Sequence, residues 1–403
     1  MSREILSARR AACVTAVLGL LSIFPPLATD MYLAGLGDIA QSMGASHSAA
    51  ELSLSIFFLG LCVGQLIMGP LIDSLGRKGP LLGATALFIV TSFALILVED
   101  IAVFNTLRFL QALGACGGMV VGRAVVNDLY EGRRAAQAMT VLVMLLTIGP
   151  IVSPTLGSLL LGAFGWRSIF VVMLLIGALA FILSLLVVPE TLPVEQRVTA
   201  PFRTGRKVAG QLLRRRAFVI PAVIAGLVQG GLFAFITGSS GVFQGVFGLS
   251  ALTYGLMFAG IATALLLFGQ VNTRLLNHFT AEQILKTGLP YYVAATLVLV
   301  LLSGTTTLWV FIPPLWLSIG CVGMLSANAM HIAMASARDS AGIGSAVLGA
   351  IQFGIAFTIS SLVALGGSDT ALPMALGLLL PAIVALILLL KFSVGAKEEA
   401  VIA

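Results

Sequence analysis

Twelve runs of mainly apolar residues follow one another along the chain, near residues 11–35, 50–71, 80–98, 101–124, 138–161 and 167–188, then 218–240, 252–273, 283–303, 308–331, 342–365 and 371–391. About 20 such residues in a helix cross the hydrocarbon core of a bilayer. A helix satisfies its backbone N–H and C=O groups within the segment, as lipid demands. The runs therefore predict an all-α membrane protein with 12 transmembrane helices. A water-soluble fold is excluded by composition: 59% of the 403 residues are hydrophobic and 9% charged, against about a quarter charged in ordinary soluble domains. That leaves too little polar surface to cover a chain of this length.

The net charge of +6 does not point to nucleic acid, because the basic residues lie between apolar runs and lack the aromatic interleaving that stacks bases. Cys13, Cys62, Cys116 and Cys321 sit inside apolar runs without CxxC spacing. They suggest neither disulfides nor a thiolate metal site, and no cofactor is expected. The opening MSREILSARR imitates a secretory leader, but with eleven more runs behind it the first reads as an uncleaved span.

Counting Lys and Arg by connection orients the chain. Arg3, Arg77, Lys78, Arg133, Arg134, Arg274 and Arg338 fall on one side with the polar stretch 189–217, and Arg167 falls on the other. Both termini are thus expected in the cytoplasm. The same stretch divides the chain into a six-helix bundle over 1–188, a central loop over 189–217 and a second six-helix bundle over 218–403. A weak internal echo agrees: Gly69 to Asp73 closes span 2, and Gly269 to Thr273 closes span 8. Parallel halves of this kind hold a substrate between them near the midplane.

The sharpest local signal is GPLIDSLGRKG, Gly69 to Gly79, after span 2. Its glycines permit a tight turn, and Asp73 and Arg77 are placed to pair; the plain alternative is a basic topology-setting turn. The string resembles motif A of the major facilitator superfamily. LRFLQALGA (Leu107 to Ala115) and GPIVSPTLG (Gly149 to Gly157) resemble its motifs B and C, the latter associated with proton-coupled antiporters, and PETL (Pro189 to Leu192) matches the usual end of span 6. With TDMYL (Thr29 to Leu33), RAVVNDLY (Arg123 to Tyr130) and GWRSIF (Gly165 to Phe170), the chain is similar to the bicyclomycin-resistance (Bcr/CflA) branch of the drug:proton antiporters. It departs from the pattern at Asn127, where this branch often has a basic residue, at Ala34, where a proline commonly follows the DMYL segment, and at Ser153, which replaces a motif C glycine often seen in other branches.

The resemblance implies the major facilitator fold and a secondary antiporter, working as a monomer in the bacterial inner membrane, that exchanges protons for small amphipathic drugs or metabolites. The alternative in the same fold is a carrier of a nucleoside, amino acid or sugar, running as an importer. No HExxH, GxSxG or GxxxxGK[ST] string is present, which argues against an intramembrane enzyme and an ATP-driven pump.

An ionisable side chain inside a span is costly and by default functional. Asp30 in span 1 and Arg108 in span 4 lie at similar depth, each about two turns or 10 Å from its outer helix end. Asp30 is the expected proton site, tuned by Arg108; a static ion pair that only fixes packing is the other reading. No Asp or Glu falls within spans 7 to 12, so an intramembrane carboxylate must come from the first half. By resemblance, Asp73 bridges Arg123 and the start of span 11 near Ala341, with Gly69, Gly76, Arg77 and Lys78 completing the gate. Gly149, Pro150, Pro154 and Gly157 interrupt the ladder of span 5 and leave a smooth face for close packing. Gly114, Gly118 and Gly122 form a packing ridge on span 4. Asp30, Tyr32, Arg108, Gln111, Gln229, Phe233, Trp316, Asn328 and Gln352 are the candidate substrate contacts, a mixed aromatic and amide set suited to amphipathic compounds; lipid contact or helix packing is the alternative for each.

Overall fold

The computed structural model describes residues 8–130, 132–197, 201–337 and 340–402. The start of MSREILSARR and two of the residues that orient the chain, Arg3 and Arg338, lie outside them. Among the described residues twelve helices are long and apolar enough to cross a membrane: Ala12–Ser42, His47–Leu75, Lys78–Leu97, Ile101–Leu129, Gln137–Phe164 and Arg167–Val187, then Arg216–Val246, Ala251–Leu275, Ala281–Leu301, Leu308–Ala335, Ala341–Leu365 and Leu372–Lys391. They are spans 1 to 12. The end carrying the Gly69–Gly79 loop is called the basic end, and the opposite one the far end.

Polar residues at the connections start the helices. Ser46 caps span 2 by accepting from the Ala49 N–H, Asp100 caps span 4 through Ala102 and Val103, and Thr280 with Gln283 forms a capping box on span 9. Each removes an orphan donor at a helix start. Gly76, at φ +92°, ends span 2 in a conformation L side chains rarely adopt.

Span 1 is not one helix. Ala8–Ser22 gives way to Phe24–Asp30, with Pro25 and Pro26 in its first turn, then to a 3₁₀ turn over Leu33–Gly35 and a last helix, Leu36–Ser42. Two adjacent prolines at a helix start explain the first break, since neither can donate to a preceding turn. Span 5 behaves oppositely, running unbroken through Pro150 and Pro154. At its far end span 7 widens into a π-helical turn, Gly241–Val246.

The principal helix pairings repeat. In the first half span 4 packs against spans 2 and 3, span 3 against span 6, and span 1 against span 5; in the second, span 10 packs against 8 and 9, span 9 against 12, and span 7 against 11. The halves meet chiefly along span 2 against span 11 and span 5 against span 8, contacts that exchange when six is added to each number. This is the arrangement of two similar bundles about a pseudo-twofold axis.

The central stretch, expected as a loop, contains a helix, Pro201–Leu212. It rests on spans 2 and 11, and Leu212 is buried with Phe218, Ala333 and Leu348. Its Arg and Lys residues mask a sparse apolar stripe, which is why the segment reads as polar loop. Glu190 fastens the other end of this connection, accepting from the backbone N–H groups of Arg77 at 2.8 Å and Lys78 at 3.2 Å, with Arg197 at 3.8 Å.

Small residues set the closest helix approaches. A Cβ on Gly157 would stand 1.7 Å from the Met31 carbonyl oxygen, and one on Gly149 2.7 Å from Pro26 Cγ. One on Gly255 would fall 2.9 Å from the Pro154 carbonyl, so span 5 is held tightly by span 1 on one side and span 8 on the other. The span 4 ridge packs as expected, Gly114 against Ala84 and Phe88 and Gly118 against Leu21.

Two outcomes test this packing. Gly157→Ala is expected to destabilise the purified protein by at least about 1–3 kcal/mol, the usual cost of overpacking, while Gly162→Ala, with open space around it, stays within about 0.5 kcal/mol; detergent melting curves distinguish them. Partial burial disfavours the charged Glu190 carboxyl, but the N–H donors of Arg77, Leu192 and Lys78, with Arg197, outweigh it and hold the group below the usual carboxylate range. Its stabilisation is therefore full above the ordinary glutamate pKa of about 4.3, and it is lost as pH falls through the lower folded-state value. Glu190→Gln should melt below the wild type at pH 7, and the gap should close under acid.

Candidate functional site

Asp30 closes the Phe24–Asp30 helix at the break in span 1 and is 1% exposed. The Thr29 hydroxyl donates to its Oδ1 at 2.8 Å, while Oδ2 has no hydrogen-bond partner among the described residues. Arg108 lies at the same depth, since its Nη2 donates to the Ala28 carbonyl at 2.6 Å. The two charges nevertheless form no ion pair. Arg108 is held by that carbonyl, by Gln111 Oε1, and by the faces of Tyr32 and Phe57, with ring centroids at 4.3 and 4.5 Å, while its Nε has no hydrogen-bond partner among the described residues. Two ring faces and two oxygens spread a buried guanidinium charge without a carboxylate. Asp30 is left half-bonded and chemically free to gain or lose a proton.

The remaining candidates in the first half join this cluster. Tyr32 shares a 2.7 Å hydrogen bond with Ser53, and Gln111 donates to Ser92 at 2.8 Å. Spans 1, 2, 3 and 4 thus meet in one polar knot walled by Phe104 and Phe170. In the second half the candidates separate into two places. Gln352 donates to Gln229 at 3.1 Å between spans 11 and 7, and the Phe233 ring lies tilted between those of Phe58 of span 2 and Phe353 of span 11, with centroids at 4.5 and 5.9 Å. Trp316 and Asn328 instead face span 8, reaching Thr263 at 3.4 Å and Asn272 at 2.6 Å. Gln229, Phe233 and Gln352 stand where the halves meet; Trp316 and Asn328 knit the second bundle.

At the basic end Asp73 pairs with Arg77 at 2.7 Å, and Arg77 also reaches Asp128 of span 4 at 2.9 Å, to which Thr191 donates at 2.7 Å. No ion pair joins Asp73 to Arg123 in this conformation. Burial disfavours the Arg77 charge, but Asp128 and Asp73 more than compensate and push its pKa up. Lys78 donates to the Leu185 carbonyl at 2.8 Å. The motif ties spans 2, 3, 4 and 6 to the start of the central connection, and Gly69 faces Ala346 of span 11.

The far end holds contacts between the halves that the sequence does not reveal. Gln244, in the π-turn of span 7, donates to the Ala34 carbonyl at 3.2 Å and to Ser240 at 3.0 Å. Glu51 of span 2 is 1% exposed, with His47 Nε2 3.3 Å from its Oε1. One turn inside a helix start, Glu51 resembles the exposed first-turn Glu282 of span 9 in sequence; only the opposing helices distinguish them. Tyr254 of span 8, hydrogen-bonded to Ser239 at 2.8 Å, lies within electrostatic reach of both Asp30 and Glu51.

The family model of the Major Facilitator Superfamily matches residues 18–361. Among curated relatives, the uncharacterized MFS-type transporter YdgK of Bacillus subtilis is 33% identical over 366 residues, covering 89% of this chain and 90% of its own. A bicyclomycin resistance protein homolog of Haemophilus influenzae is 29% identical over 360 residues, with 89% and 90% covered. A chloramphenicol resistance protein of Pseudomonas aeruginosa is 31% identical over 332 residues, with 79% and 76% covered. The crystal structure of a D-xylose-proton symporter superposes with a TM-score of 0.73 over 94% of this chain and 97% of that one; at 14% identity this speaks for the fold. The chain belongs to the Major Facilitator Superfamily, in the branch of the bicyclomycin- and chloramphenicol-resistance proteins.

Proposed function

We propose that this transporter exports small amphipathic drugs or metabolites in exchange for protons, by alternating access across the bacterial inner membrane, as a monomer with its basic end in the cytoplasm. The observation that carries the reading is Asp30: a buried carboxyl with one unbonded oxygen, placed where span 1 breaks and where span 5 presses against it. An intramembrane carboxylate left incompletely bonded is expensive, and proton exchange with a moving environment is the use that justifies it. Span 5 links Asp30 to the second half through span 8, so rocking of the halves alters the packing around the carboxyl. The amide pair Gln229–Gln352 and the Phe58–Phe233–Phe353 cluster supply polar and aromatic contacts where the halves meet, a surface suited to amphipathic molecules. The names of the relatives from Haemophilus influenzae and Pseudomonas aeruginosa support drugs as cargo and export as direction. Asp73, Arg77 and Asp128 form the charged part of the cytoplasmic gate.

Inverted vesicles with an imposed pH gradient, screened with phenicols, bicyclomycin-like compounds, nucleosides and amino acids, test the proposal. Substrate-induced proton release is expected in the wild type and falls to background in Asp30→Asn. Flux indifferent to the gradient would refute proton coupling, and coupling retained in Asp30→Asn would remove Asp30 from the proton path.

A further inference from the structure

We infer that His47 and Glu51 form a second proton-binding site, at the far-end gate, which takes up one proton when the two halves close over it. The inference rests on the alternating-access reading above but concerns residues outside the Asp30 cluster.

A cleft of about 300 Å³ lies between the halves at this end, lined by Ala34, Gly37, Asp38 and His47 from the first and by Ser240, Gly241, Gln244, Gly245 and Ser368 from the second. Glu51 sits directly beneath it. A Cβ on Gly241 would stand 3.2 Å from Glu51 Oε1, so the carboxylate is seated against bare backbone of span 7. Neither His47 Nε2 nor Glu51 Oε1 makes an aligned hydrogen bond to any described group, although the two are 3.3 Å apart. His47 is 28% exposed to the cleft and Glu51 is 1% exposed, so the pair joins a wetted group to a dry one.

Asp38 lines the same cleft from span 1, Asp30 and Glu51 both act on Tyr254 of span 8, span 7 presents Ser240, Gly241, Gln244 and Gly245, the connection after span 11 presents Ser368 with Asp369 next in the chain, and span 4 presents Asn105 to the Ala49 carbonyl. No Lys or Arg lines the cleft among the described residues. Of the described residues that line the cleft, His47 is thus the cation available to Glu51, and only when protonated.

The proton balance follows. With the far end open, Glu51 is hydrated as a carboxylate beside a neutral imidazole, and the pair carries −1. Closure brings Gly241 and Ser368 over Glu51 and removes that water; an unpaired ion held there is strongly disfavoured. One proton from the external medium converts the pair either to carboxylic acid with neutral imidazole or to carboxylate with imidazolium. Both forms are net neutral, so the count is one in either case. Acid outside therefore favours closure of the far end, which returns an exporter to its inward-facing state after it has released cargo.

The test reads the gate without substrate, so failure of coupled transport in vesicles leaves it intact. Spin labels at Gly37→Cys and Gly245→Cys, on opposite walls of the cleft, are introduced into full-length protein lacking Cys13, Cys62, Cys116 and Cys321 and reconstituted in nanodiscs; pulsed dipolar spectroscopy then follows their separation between pH 5 and pH 9. The long-distance population is expected to grow with pH, the open-to-closed ratio changing up to tenfold per pH unit, as one linked proton requires. Glu51→Gln should hold the short distance at all pH values, His47→Gln should move the transition along the pH scale, and the conservative Glu51→Asp should restore a titration. Asp30→Asn should leave the slope in place. A wild-type slope kept in Glu51→Gln, an unshifted transition in His47→Gln, or no open population at any pH overturns the proposal; a slope lost only in Asp30→Asn assigns the gate to Asp30 instead.

Discussion

Span 5 touches span 1 and span 8 at backbone distance, and most of what moves or is held in this protein refers to that contact. Lipid offers little hydrophobic reward for bringing helices together, so association depends on close van der Waals fit and on small residues that allow it. Gly149 and Gly157 receive Pro26 and Met31 on one face of span 5, and Gly255 of span 8 receives Pro154 on another. Thr155 adds a hydrogen bond to the Gly255 carbonyl at 3.2 Å. Among the described residues these contacts of span 5 involve no ion pair, and Asp30 lies one residue from the Met31 carbonyl that Gly157 receives.

The two halves satisfy their buried polar groups by different means. In the first, charges are absorbed by rings, carbonyls and other charges, as at Arg108 and in the Asp73–Arg77–Asp128 network. In the second, neutral amides pair with one another, Asn328 with Asn272 and Gln352 with Gln229. The spans of the second half contain Glu282 as an acidic residue only in a helix first turn. Buried charge thus concentrates in the first bundle and buried neutral amide pairs in the second.

The number and order of spans were legible because apolar length is a local property of the chain. Helix ends are less so: spans 1, 2, 4, 5, 7 and 10 run past the apolar runs, since a helix continues through polar or exposed residues once its ladder is started. The helix over Pro201–Leu212 was hidden by its basic residues, and the break in span 1 needed Pro25 and Pro26 to be weighed as a pair. Among site residues, Asp30 and Arg108 stood out because both lie deep in their spans, but residue type and depth do not tell which way a side chain turns. Arg108 turns to the Ala28 carbonyl and two rings, not to Asp30. Glu51 is illegible for the complementary reason, because its dryness depends on opposing helices, Gly241 of span 7 among them.

The far end is fastened across the halves by Gln244, whose acceptor is the carbonyl of Ala34. A backbone acceptor is indifferent to the side chain that bears it. Proline, common at this position in the branch, keeps the same carbonyl although it lacks an N–H. The latch can thus survive exchange of the residue that anchors it on span 1, while it depends on the amide of Gln244 in the π-turn of span 7.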